Sequence, residues 1–100
     1  MSEVIIAGWM DYSVHRDSVL ALLQPVGAAT RDEEGCLAYS MTADATDAGR
    51  IRVFEWWSSS EALDAHLQMR HVKEFREAVT EFPRIDRLLQ RFLIAKTETF

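Results

Sequence analysis

The stretch Ile51-Arg52-Val53-Phe54-Glu55-Trp56-Trp57 constrains the fold more than any other part of the chain. Its β-branched and aromatic residues suit a strand, and along a strand successive side chains point to opposite faces. One face then carries Ile51, Val53, Glu55 and Trp57, the other Arg52, Phe54 and Trp56. A sheet with one face in water should alternate apolar with polar residues, yet here both faces carry large apolar groups. Something must cover the sheet on each side. Helices of the same chain can cover one. The economical cover for the other is the same sheet of a second copy, because large exposed apolar patches mark interfaces and two-fold dimers are the commonest closed assembly. A homodimer is therefore expected, as suits a chain of 100 residues, short enough to borrow core from a partner.

The remaining elements follow from periodicity and punctuation. Val4 to Tyr12 reads as a first strand. From Arg16 to Glu33, the residues Val19, Leu22, Leu23, Val26 and Ala29 recur at helical spacing. Pro25 inside that helix should kink it, and Gly35 should end it in a left-handed conformation. Cys36 to Ala43 forms a second strand, Asp44 to Gly49 a polar loop, and Arg50 to Trp57 the third strand, a hairpin by separation and composition. A capping box from Ser58 to Glu61 opens a second helix, with Leu63, Leu67, Val72, Phe75 and Val79 facing inward until Pro83. The segment Leu88 to Thr99 holds the last strand, placed at Phe92 to Glu98. The order β-α-β-β-α-β is the ferredoxin-like arrangement: an α+β fold with four antiparallel strands and two helices on one face. Residues 1–100 are expected to form a single domain.

Charge and composition exclude several roles. A net charge of −5, with basic residues dispersed apart from a loose group at Arg84, Arg87 and Arg91, argues against nucleic acid. No apolar run approaches the roughly 20 residues that cross a bilayer, so no membrane partner is expected. Residues 1–3 bring an acid where a secretory leader carries base, so a cytoplasmic location is expected. Cys36 is the sole cysteine, which leaves no intrachain disulfide or thiolate metal cluster.

Particular residues carry a family resemblance. Glu34-Gly35-Cys36 resembles the E-G-C or P-G-C signature of the antibiotic biosynthesis monooxygenase (ABM) family. Glu55-Trp56-Trp57, Ser59, Glu61-Ala62-Leu63 and His66-Leu67 are similar to its E-x-W-x-S-x-E-A-L-x-x-H-L stretch, and His71, Phe75 and Ala78-Val79 to the continuation. The resemblance implies a dimeric α+β barrel and a small oxygenase that needs no metal or prosthetic group, so no cofactor is expected. It spans a diverse family. Trp57 matches a pocket tryptophan of the anthrone-type oxygenases, but Val53 and Leu63 stand where that branch has asparagine and tyrosine. Arg76 stands where the haem-degrading branch has its axial histidine, which makes haem degradation the lesser alternative. Glu55, Trp57, His66 and His71 resemble the quinol-oxidising branch, whose proline before the second histidine is Arg70 here.

Physical chemistry points to the same residues. Glu55 alternates with Val53 and Trp57 and so faces the helical layer, where an unpaired carboxylate is costly. His66 and His71 on the facing helix are its candidate partners, and a carboxylate–histidine pair can make a base near neutral pH. The expected catalytic residues are therefore His71, His66 and Glu55. Trp57, Trp9 and Tyr39 are expected to hold a small aromatic substrate by stacking. The histidines are five positions apart, neither i,i+3 nor i,i+4, so no metal site is expected. The expected activity is oxidation of a small hydroxyaromatic, quinol or anthrone-like compound by dioxygen. The alternative is a dimeric module that binds an apolar metabolite without turnover.

Overall fold

The structure, a computed structural model, describes residues 2–100; residue 1 of the acidic opening triplet lies outside the described residues. Strand β1 (Val4–Asp11) leads through a short 3₁₀ turn into helix α1 (Arg16–Arg31). Strands β2 (Cys36–Ala43) and β3 (Arg50–Trp57) form the hairpin. Helices α2 (Ser60–Leu67) and α3 (Arg70–Ala78) follow, and β4 (Asp86–Leu93) completes an antiparallel sheet in the order β2-β3-β1-β4. This is the expected ferredoxin-like fold.

Strand register divides the sheet into two faces. Pairing of Val4 with Trp57 and of Gly8 with Val53 puts Val4, Met10, Tyr39, Ile51, Val53, Glu55 and Trp57 on the helical side. They pack there with Val19, Leu23 and Val26 of α1, Leu63 of α2 and Val72 of α3. The opposite face carries Ile5, Trp9, Phe54, Trp56, Leu88 and Phe92 in facing register, with Phe54, Leu88 and Phe92 between 40% and 50% exposed.

Four expectations are corrected at element ends. The last strand lies at Asp86–Leu93 rather than Phe92–Glu98. Its pairing with β1 runs from Asp86 opposite Asp11 to Leu93 opposite Val4, so β1 is used up before residue 95. Helix α1 continues through Pro25 but stops at Arg31, two residues before Glu33. The cap of α2 is Ser59, whose hydroxyl accepts from the Ala62 amide at 3.1 Å, rather than Ser58. The single second helix is two: Gln68 closes α2, and Met69, extended at φ −67° and ψ 145°, caps α3. The break occurs without a proline at Arg70.

Candidate active site

Three separated segments build a buried proton-handling cluster. The first is the loop after α1. Gly35 turns it with φ +84°, and a Cβ there would lie 2.5 Å from the Ala62 Cβ and 2.8 Å from the Ser58 Oγ. The Ser58 amide donates to the Gly35 carbonyl at 2.8 Å. This close approach pins the loop against the start of α2 and turns Glu33 inward, its side chain only 6% exposed. The second segment is β3, whose alternation aims Glu55 at the same layer. The third is the α2–α3 break, which brings His66 and His71 together although no regular helix would.

Glu33 is the hub. Its Oε2 accepts from His66 Nδ1 at 2.9 Å and from His71 Nε2 at 2.7 Å. Carboxylate oxygens accept, so the tautomer assigned to each imidazole puts its proton on the nitrogen that faces Glu33. In neutral His66 the lone pair then resides on Nε2, which lies 4.0 Å from Glu55 Oε1, beyond a hydrogen bond. Glu55 Oε1 instead accepts from the Trp57 indole N–H at 3.1 Å. Burial pushes the Glu55 carboxyl above the ordinary range; the Trp57 hydrogen bond and His66 oppose that shift, and Glu33 adds to it. Burial, with Glu55 and Glu33 nearby, also drives the Tyr39 hydroxyl far above the usual phenol range, so it stays protonated.

Glu55, His66 and Tyr39 line one cavity of about 210 Å³, together with apolar groups such as Val53, Val72 and Phe75. That is below the roughly 300–1,000 Å³ of ordinary small-molecule sites, so it suits a compact, one- or two-ring ligand. The other three expected site residues lie elsewhere. His71 joins through Glu33 but opens into a neighbouring recess beside Leu22, Pro25 and Phe75. Trp57 is fully buried; its ring packs 4.7 Å from His66 between centroids, so it holds the site from behind rather than presenting a face to a ligand. Trp9 is on the opposite face of the sheet, because its odd position in β1 pairs with Arg52. The Arg50 guanidinium sits 3.7 Å over its ring.

The five-residue spacing does not keep the two histidines apart. With the helix broken, ligand atoms of Glu33, His66 and His71 lie within 4.8 Å of one another and could close on a divalent cation. As arranged, both nitrogens meet a single oxygen at hydrogen-bond distance, the geometry of a proton-holding cluster. Glu33 was missed in the sequence because it reads as the last turn of α1. The only signal was the acidic run Asp32-Glu33-Glu34 before Gly35, which does not say which acid turns inward.

Comparison with known proteins agrees with this fold. The sequence profile of the antibiotic biosynthesis monooxygenase family matches residues 12–78. A Mycobacterium tuberculosis protein, Rv0793, provisionally named a monooxygenase, is 35% identical over 77 residues, 77% of this chain and 75% of that protein. The Escherichia coli protein YgiN, named a probable quinol monooxygenase, is 35% identical over 74 residues, 65% of this chain and 70% of that protein. An uncharacterised Synechocystis protein is 31% identical over 84 residues, 84% of this chain; the match spans only 57% of that relative's length. Among solved structures, a Deinococcus radiodurans protein provisionally assigned to antibiotic biosynthesis monooxygenases superposes with a TM-score of 0.86 at 26% identity over 97% of both chains.

Proposed function

The chain belongs to the antibiotic biosynthesis monooxygenase family, and from that premise we propose that it is a cofactor-independent monooxygenase acting on a small hydroxyaromatic or quinol. One observation carries the reading: Glu33 holds Nδ1 of His66, which leaves Nε2, 4.0 Å from Glu55 Oε1, as the free nitrogen of a histidine that lines the same cavity as Glu55. This base removes the phenolic proton. Glu33 steadies the imidazolium that results, as a buried carboxylate does when it orients a catalytic histidine. The substrate anion gives an electron to dioxygen, and the pair combines to form a carbon–oxygen bond at the ring. The O–O bond then breaks as that carbon loses its proton. One oxygen stays as a carbonyl, and the other leaves as water with the two hydrogens the substrate has lost. All four electrons come from the substrate, so no external reductant is needed. Glu55, whose carboxyl is pushed up by burial, supplies one proton to the departing oxygen and is restored by the proton lost from carbon, while the His66 imidazolium returns the phenolic proton as the second.

The working unit of this reading is an isologous dimer formed through the sheet face of Ile5, Trp9, Phe54, Trp56, Leu88 and Phe92. What supports it is the contiguous, half-exposed apolar character of that face. Oxygen-18 labelling tests the chemistry. Under labelled dioxygen, one labelled atom is expected in the product and one in water. Release of labelled hydrogen peroxide with an unlabelled quinone would instead mark a two-electron oxidase and contradict the proposal.

A further inference from the structure

The cavity that holds Glu55 and His66 has a second charged end. Arg76 from α3, Arg84 from the segment after Pro83 and Arg87 from β4 all line it. Three separate stretches of chain therefore deliver cations to one rim. Glu55 is the only carboxylate among the lining residues, and register sets it opposite Ile6, whereas Arg87 is opposite Met10, four positions further along β1. Among the described residues, none of the three arginines takes part in an ion pair, although Arg16, Arg50, Arg52 and Arg70 each have an acidic partner. Arg84 and Arg87 both act on the buried hydroxyl of Tyr12, which also lines the cavity, and favour its ionised form against the effect of burial. Register explains the placement of Arg87: it pairs with Met10 and so faces the helical side of the sheet.

Like charges gathered without a counter-ion repel one another, and a planar guanidinium is the side chain best matched to a carboxylate, which it can grip with two parallel hydrogen bonds. We propose that the substrate is an acidic hydroxyaromatic: a one- or two-ring phenol or quinol bearing a carboxylate, which Arg84 and Arg87 bind with Arg76 beside them. The phenolic hydroxyl is presented to His66 at the other end. This substrate class rests on the oxygenase reading, but the arginine site is testable by binding alone. Anchoring one end of a small flat ring fixes which hydroxyl meets the base, a choice that apolar walls cannot make.

The test compares 6-hydroxy-2-naphthoate, whose carboxylate and hydroxyl lie at opposite ends of the ring system, with its methyl ester by isothermal titration calorimetry, without oxygen, on the wild-type protein and on an Arg84→Gln/Arg87→Gln variant. Both arginines are exposed at the rim, so the variant is expected to melt near the wild type. The wild type should bind the acid about tenfold or more tightly than the ester, as expected for a charge-assisted contact. The double variant should reduce that preference to less than about twofold. Equal binding of acid and ester by the wild type, binding of neither, or an acid preference that survives in the double variant would overturn the proposal. The two readings also separate. Acid preference with no oxygen uptake leaves the arginine site standing and removes the oxygenase, whereas uptake without acid preference does the reverse.

Discussion

At the residue scale, one carboxylate organises the site. Glu33 Oε2 receives both histidine N–H groups, and charge-assisted bonds of this kind contribute about 1.5–3 kcal/mol each when one partner is ionised. Its role is positioning: it fixes the His66 tautomer without lining the cavity. Glu33→Gln is therefore expected to lower kcat by about tenfold or more while KM moves little, and to shift the acidic limb of the kcat–pH profile. Loss through KM alone, with an unchanged profile, would leave Glu33 a merely structural group. Glu55 predicts a pH effect on stability. Its folded-state pKa lies above the ordinary 4.5, so the folded protein holds that proton more tightly than the unfolded chain. The resulting stabilisation is full below 4.5 and is lost as pH rises through the raised value. Denaturant midpoints should thus show Glu55→Gln gaining on the wild type from about pH 4.5 upward and levelling once wild-type Glu55 has ionised. Curves that stay parallel would mean that Glu55 is not perturbed.

At the element scale, the site depends on two interruptions, and the sequence disclosed them unequally. Gly35 was legible as a helix-ending glycine. What no periodicity could disclose is that its missing Cβ admits Ala62 and Ser58, and so sets Glu33 between the histidines. Gly35→Ala must strain a left-handed backbone and displace α2, at a cost of about 1–3 kcal/mol measurable by denaturant unfolding. The α2–α3 break had no such mark, because Arg70 occupies the position where a proline would announce it. The conformation is nonetheless already that of a residue before proline: Met69 is extended, and Arg70 is the first residue of α3. Arg70→Pro should therefore be neutral or stabilising, by up to about 1 kcal/mol through the unfolded chain, despite loss of the exposed pair with Glu74. Clear destabilisation in calorimetry would show that the break is not preset. Strand β4 illustrates a different limit. Arg87, Gln90 and Arg91 dilute its alternation, so the apolar density at Phe92 to Ile94 drew the expected strand too far along, and only the register with β1 locates it.

At the scale of the whole molecule, the two-faced apolar pattern of β3 was the most informative feature, and the structure gives it a consistent form. One face closes over a buried core. The other leaves Phe54, Leu88 and Phe92 half exposed around Trp9 and Trp56. Light scattering should report a dimer, and Phe54→Lys, which buries a charge in that interface, should yield a monomer with a lower melting temperature. A wild-type monomer would contradict the arrangement. The candidate site was half legible for a related reason. Alternation along β3 identified Glu55, and helical facing identified His66. Glu33 and the arginine rim come from a loop, a helix, the segment after Pro83 and a strand end, whose meeting depends on tertiary packing. In the proposed reaction His66 acts as the base of a metal-free oxygenation. This role is tested most directly by oxygen uptake of the metal-stripped protein with a panel of hydroxyaromatics and quinols, beside His66→Ala. Uptake above autoxidation is expected from the wild type, with a fall of about 10²-fold or more in the variant. Uptake that His66→Ala leaves unchanged, or that returns only when metal is restored, would contradict it.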